Sequence, residues 1–118
     1  MIRLHLPVPP SVNAMYGNRT GPGRGRFKTR AYKQWIEYAD VEWMTQKRRV
    51  GRVTGPYELD IRLPNVRGDI DNRQKAILDF LVSREITDDD RHCQRISIER
   101  DATLNHCEVT ITESGRDV

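Results

Sequence analysis

Asp69 and Asp71 are separated by one residue, are followed at once by Asn72, and stand just ahead of Lys75. Carboxylate oxygens are the hard ligands that Mg²⁺ takes, and a nearby lysine supplies a cation where charge develops on a phosphate. That is the set a phosphodiester-cleaving site needs. The pair follows a turn spanning 64–68 and precedes an apolar-periodic run in which Ile70, Ile77 and Leu81 share one face. The spacing predicts a helix over about 70–83, with Asp69 as N-cap and Asp71 in the first turn. Backbone N–H groups at such a start favour a phosphate, and Lys75 rises on the same side as Asp71. A plainer reading also fits, because aspartate is a common cap and an Asp–Lys pair four residues apart is a common surface ion pair.

Three adjacent aspartates, Asp88, Asp89 and Asp90, follow that helix. Like charges this close repel, and either a cation or full solvation relieves them. A helix of this length rises roughly 20 Å, so its two ends cannot both touch one ion. For the two acidic clusters to act together, the second has to fold back toward the helix start.

Residues 17–30 hold 4 glycines and 5 cations, Arg19, Arg24, Arg26, Lys28 and Arg30, with no acid. A flexible basic loop that contacts phosphate is expected there. The charge of the whole chain is split in the same sense. Residues 1–59 carry 11 Lys/Arg against 4 Asp/Glu, and residues 60–118 carry 9 against 13. A basic half suits a polyanion, and an acidic half suits a divalent cation.

His92-Cys93 and His106-Cys107 resemble halves of a zinc site, but neighbours on a strand face opposite ways. No zinc is therefore expected, and His5 is read as a strand-surface residue. No apolar run approaches a membrane span, and the start lacks the core of a signal peptide. A cytoplasmic protein with free Cys93 and Cys107 is expected.

The remaining pattern says what must position these residues. Ile2, Leu4 and Leu6 alternate with polar residues, as do Tyr57, Leu59, Ile61 and Leu63, and both runs read as strands. Tyr32, Trp35, Ile36, Ala39 and Trp43 form one stripe of a helix over about 30–48, with Thr29 as N-cap. Residues 93–100 and 106–113 read as a hairpin turning near 101–104. The order is β-α-β-α-β-β, a single α+β domain over 1–118 with two helices on one face of a small mixed sheet.

Nearly the whole chain resembles the RusA family of Holliday junction resolvases. The likeness is carried by Leu6-Pro7-x-Pro9-Pro10-Ser11-x-Asn13-x-x-Tyr16, the basic loop and first helix, Asp69-x-Asp71-Asn72-x-x-Lys75-Ala76, and the aspartate-rich loop at the matching distance. The resemblance implies a homodimer that binds four-way DNA junctions and, with Mg²⁺, nicks two strands symmetrically to leave ligatable 5′-phosphate ends. It carries the catalytic roles to Asp69, Asp71 and Lys75. A gapless count carries the third metal ligand to Asp90, with Asp89 the alternative register, and Asn72 takes a supporting role. A two-fold assembly would let the stripe bearing Trp35 and Trp43 extend into a shared interface. The sequence departs from the pattern in three places. Ser83-Arg84-Glu85-Ile86-Thr87 replaces a glycine-containing apolar run, three aspartates replace two, and His92-Cys93 replaces a polar-then-aliphatic pair. The rival readings are a branched-DNA-binding protein that does not cut, and a relative whose aspartates only cap a helix.

Overall fold

Alternation buries Tyr57, Leu59, Ile61 and Leu63 completely, and these residues make β4 (Tyr57–Leu63) the centre of the sheet. In the computed structural model, which describes residues 1–18 and 25–114, β4 has a partner on each side. β5 (Cys93–Arg100) lies parallel to it, and β6 (Cys107–Glu113) lies antiparallel. β1 (Ile2–Leu6) pairs antiparallel with β6, so the order across the sheet is β1-β6-β4-β5.

This order corrects the expected hairpin. β5 and β6 are neighbours in sequence but not in the sheet, because β4 lies between them. The connection between them crosses the end of β4, where Asp101 N–H donates to Leu63 O at 2.7 Å. Two strand spacings amount to about 10 Å, which six residues span easily. Nothing local therefore forced the two strands to pair directly. A buried β4 needs ladder partners on both edges, and it takes one from each.

Helix α1 (Arg30–Gln46) starts where expected, with Thr29 Oγ1 accepting from Tyr32 N–H at 3.2 Å. Its buried residues Tyr32, Trp35 and Ala39 join Ala76, Ile77, Phe80 and Leu81 of α2 (Gln74–Ser83) in one core against the sheet. Trp35 meets Phe80 edge to face at 5.7 Å, and its indole N–H donates to Pro7 O at 2.9 Å. Trp35 is thus spent on the chain's own core and Trp43 packs against it. The apolar residues that α1 exposes are Tyr38, Val41 and Met44. Arg84, at the end of α2, grips the Asp40 carboxylate of α1 through both Nε and Nη2, tying the helices together. The other face of the sheet is charged, with Arg62–Glu99 at 2.9 Å and Arg95–Glu58 at 3.5 Å. Two helices on one face of a mixed sheet is the architecture expected.

Two local expectations change. Helix α2 begins at Gln74, not near 70, and Asp69 does not cap it. Residues 70–73 are held in a turn by the proline-rich segment: Asn72 O accepts from Val12 N–H at 2.8 Å, and Arg73 Nη1 donates to Pro9 O at 2.8 Å. The segment expected as a loop also contains strands. β2 (Tyr16–Asn18) and β3 (Arg26–Lys28) pair as an antiparallel ribbon. The Phe27 ring lies close over Gly17, and a Cβ there would sit 2.5 Å from its tip, so any larger residue would displace the exposed ring.

Past the end of α2, Glu85 has φ 58°, a left-handed conformation, and Glu85 N–H and Ile86 N–H close the last carbonyls of the helix. The glycine that the resemblance sets in this run is missing, and a glutamate carries the strain. Glu85→Gly is expected to stabilise the fold by about 0.5–1 kcal/mol, the left-handed cost less the greater chain entropy of glycine. An increase in the urea midpoint at unchanged slope would show it. A decrease would mean that the Glu85 side chain contributes more than the strain costs.

Candidate active site

β4, α2 and β5 form a parallel β-α-β unit, and both acidic segments lie in its connections. Asp69 and Asp71 occupy the loop from β4 into α2, and both are exposed. Asp90, also exposed, opens a short 3₁₀ turn (Asp90–His92) that leads into β5 and packs against α2. The 10 residues of α2 rise about 15 Å between these segments. The carboxylates of Asp69, Asp71 and Asp90 are not gathered within 4.8 Å of one another. Among the described residues, the metal-type side chains that are so gathered are His5, His106 and Glu108.

Each neighbouring acid has a partner. Asp79 accepts from Lys75 Nζ at 3.0 Å. Asp88 accepts from Gly55 N–H at 3.1 Å and lies 2.8 Å from His92 Nδ1. Asp89 accepts from Arg91 N–H at 2.9 Å and pairs with the Arg91 guanidinium at 2.8 Å. Hydrogen bonds from His92 and Gly55 hold the Asp88 carboxyl below its ordinary range, and those from Arg91 hold Asp89 well below it. Asp69, Asp71 and Asp90 take part in no salt bridge among the described residues.

Lys75 leans forward along α2 to Asp79 instead of back to Asp71, since the turn at 70–73 removes the helical register that would have paired them. The hydrogen bond to Asp79 raises the lysine pKa, and the charges of Asp79 and Asp90 add to it. The 3₁₀ turn that carries Asp90 packs against α2, and Asp79 and Ser83 share a cleft with Asp88–Asp90, so the second acidic loop lies along the helix. Asp79 was not singled out in the sequence, although its spacing of four from Lys75 was the available signal. It lines two adjoining clefts, one bounded by Tyr16, Lys28 and Tyr32 and the other by Ser83 and Asp88–Asp90. Sharing Asp79 and Ser83, the two clefts together make a groove beside α2, one part at the basic ribbon and the other at the acidic loop.

Of the five loop cations, Arg26, Lys28 and Arg30 are described, and Arg19 and Arg24 lie outside the described residues. Arg26 stacks its guanidinium 4.1 Å from the Tyr16 ring centroid, and Lys28 Nζ lies 5.8 Å from that of Tyr32. These contacts present cations along the rim of the groove. Asn72 is partly buried, and its side-chain oxygen has no hydrogen-bond partner.

A family model described as endodeoxyribonuclease RusA matches residues 7–112. The chain belongs to the RusA endodeoxyribonuclease family. The match runs from the proline-rich segment through β6 and includes both acidic loops, so the chain is of nuclease type. No curated protein matches it. Two of the departures noted in the sequence meet in one interaction, because Asp88 of the three-aspartate run and His92 are partners. Cys93 begins β5 beside Tyr57, whereas Cys107 lies opposite Leu6 at the other end of the sheet, and both are free thiols. Among the described residues, no helix is long and apolar enough to cross a membrane.

Proposed function

We propose that this RusA-family chain is a Mg²⁺-dependent endonuclease that resolves four-way DNA junctions by paired nicks as a homodimer. Asp69, Asp71 and Asp90 are its metal-holding residues. The observation that carries this reading is the pattern of pairing around α2. Asp79, Asp88 and Asp89 are each committed to a cation or histidine, while Asp69, Asp71 and Asp90 are exposed and in no salt bridge among the described residues. Exposed, unneutralised carboxylate oxygens are the donor set that suits Mg²⁺. A bound Mg²⁺ would polarise the scissile phosphate and make its water more acidic.

The other roles belong to the chain's own groups. Asp79 holds the Lys75 ammonium through their hydrogen bond, and that charge meets negative charge developing on the phosphate. Arg26, Lys28 and Arg30, continued in sequence by Arg19 and Arg24, neutralise phosphates of the junction arms. Asn72 holds the Asp71 loop, its main chain bound to Val12. Opposed nicks in a symmetric junction need two such sites, which a two-fold dimer supplies. Tyr38, Val41 and Met44 offer apolar surface that a second copy would cover.

Strand-labelled four-way junctions test the reading. With Mg²⁺, two ligatable nicks in opposed strands are expected, with linear duplex left intact. Light scattering of the free protein should give about 28 kDa, twice the 13.8 kDa chain. Junction binding without any nick would establish the non-cutting alternative instead, and a monomer that nicks one strand only would remove the resolvase reading.

A further inference from the structure

β1 forms the edge of the sheet opposite β5, with β6 and β4 between them, so it stands well apart from the acidic loop. On its face turned away from the helices, His5 is in register with Glu108 of β6. His106 joins them from the connection just before β6. One donor atom from each residue lies within 4.8 Å of the other two. The two imidazole rings are in contact, 4.3 Å between centroids.

Three features show that the cluster is held in place. His106 Nδ1 lies 2.9 Å from Asn105 Oδ1, which orients the ring and leaves the lone pair on Nε2. That Nε2 is buried and has no hydrogen-bond partner, a cost that asks for an explanation. The backbone of His5 is clamped on its open edge by the buried Gln46, which accepts from His5 N–H at 2.7 Å and donates to His5 O at 2.9 Å. A cation would satisfy Nε2, engage the second imidazole and neutralise Glu108 together. Glu42 lines a cleft with His5 and His106.

We propose that His5, His106 and Glu108 form a binding site for a divalent transition-metal ion of the zinc class, separate from the acidic loop. Two imidazoles and a carboxylate are a zinc donor set, whereas Mg²⁺ prefers oxygen alone. Tetrahedral ligands about 2.1 Å from zinc stand roughly 3.4 Å apart. The three side chains therefore have to close by about an ångström or so, which rotation of the partly exposed His5 and Glu108 permits. The pairing weighed from sequence, each histidine with its neighbouring cysteine, is not the one the fold makes. It joins His106 to a strand more than a hundred residues distant in sequence. Because the unfolded chain cannot bring these residues together, the bound ion stabilises the fold by tying the edge strand to the entry of β6.

Isothermal titration and thermal melts of the full-length protein test the site. One zinc ion per chain and a zinc-dependent rise in Tm are expected, with no comparable rise from Mg²⁺. His106→Gln and, separately, Glu108→Gln should each weaken zinc binding by at least about tenfold while melting near the parent temperature without metal. Cobalt in place of zinc should give the intense visible bands of a tetrahedral site, and these should be lost in both variants. Absence of zinc uptake by the wild-type chain overturns the proposal, and so does uptake that both variants retain at parental affinity. Uptake abolished by Cys93→Ser but kept by His106→Gln places the ion elsewhere and overturns it as well.

Discussion

Asp71→Asn is expected to lower single-turnover junction cleavage by about a thousandfold or more, while junction binding is kept or strengthened. The substitution preserves volume and removes only charge. Asp71 is exposed and in no salt bridge among the described residues, so its loss leaves no partner there stranded and the fold should keep its stability. A metal-holding role, by contrast, depends on the anionic oxygen, which an amide does not replace. Removing one exposed negative charge also lessens repulsion of phosphate, which is why affinity should not fall. Cleavage under saturating protein, set beside a gel-shift titration at the same Mg²⁺ and salt, separates the two effects. Near-normal turnover in this variant would exclude Asp71 from the metal site.

Among the three adjacent aspartates, Asp90→Asn is expected to cost the most, on the order of a hundredfold to a thousandfold in cleavage. Asp89→Asn should be intermediate and Asp88→Asn mild. Asp90 is the exposed member without a salt bridge, and its charge reaches Lys75. Asp89 caps the 3₁₀ turn that carries Asp90 and holds Arg91, so its loss acts by loosening that turn. Asp88 is committed to His92 and Gly55. Acid unfolding gives a readout that separates these roles. Both Asp88 and Asp89 have carboxyls held below the ordinary value, so their stabilising contribution is complete above about pH 4 and is lost as pH falls through their folded values. Replacing either should flatten the decline of stability below pH 4. A dominant loss of cleavage at Asp88 would shift the third ligand by two residues and remove the pairing argument.

What the sequence determined by itself is what a few consecutive residues can encode. Period-two alternation placed β1 and β4, and the Tyr32–Trp43 stripe with Thr29 at its cap placed α1, because strand faces and helix caps are properties of short segments. The Asp-x-Asp motif and the aspartate run were legible for the same reason. Only the tertiary structure decided where α2 begins, since Asn72 and Arg73 give their bonding capacity to Val12 and Pro9, some sixty residues away. It also decided that β4 separates β5 from β6, because a short crossing is as easy for the chain as a tight hairpin and a buried central strand needs two partners. It decided which aspartates are spent, since Asp88 finds Gly55 and His92 and Asp89 finds Arg91 while Asp90 finds no salt-bridge partner. And it placed His106 beside His5 and not beside Cys107. Apart from the local pairs Asp89–Arg91 and Asp88–His92, these turn on which distant groups meet, and a hydrogen-bonding group buried or paired by a remote partner leaves no periodic trace in the residues around it.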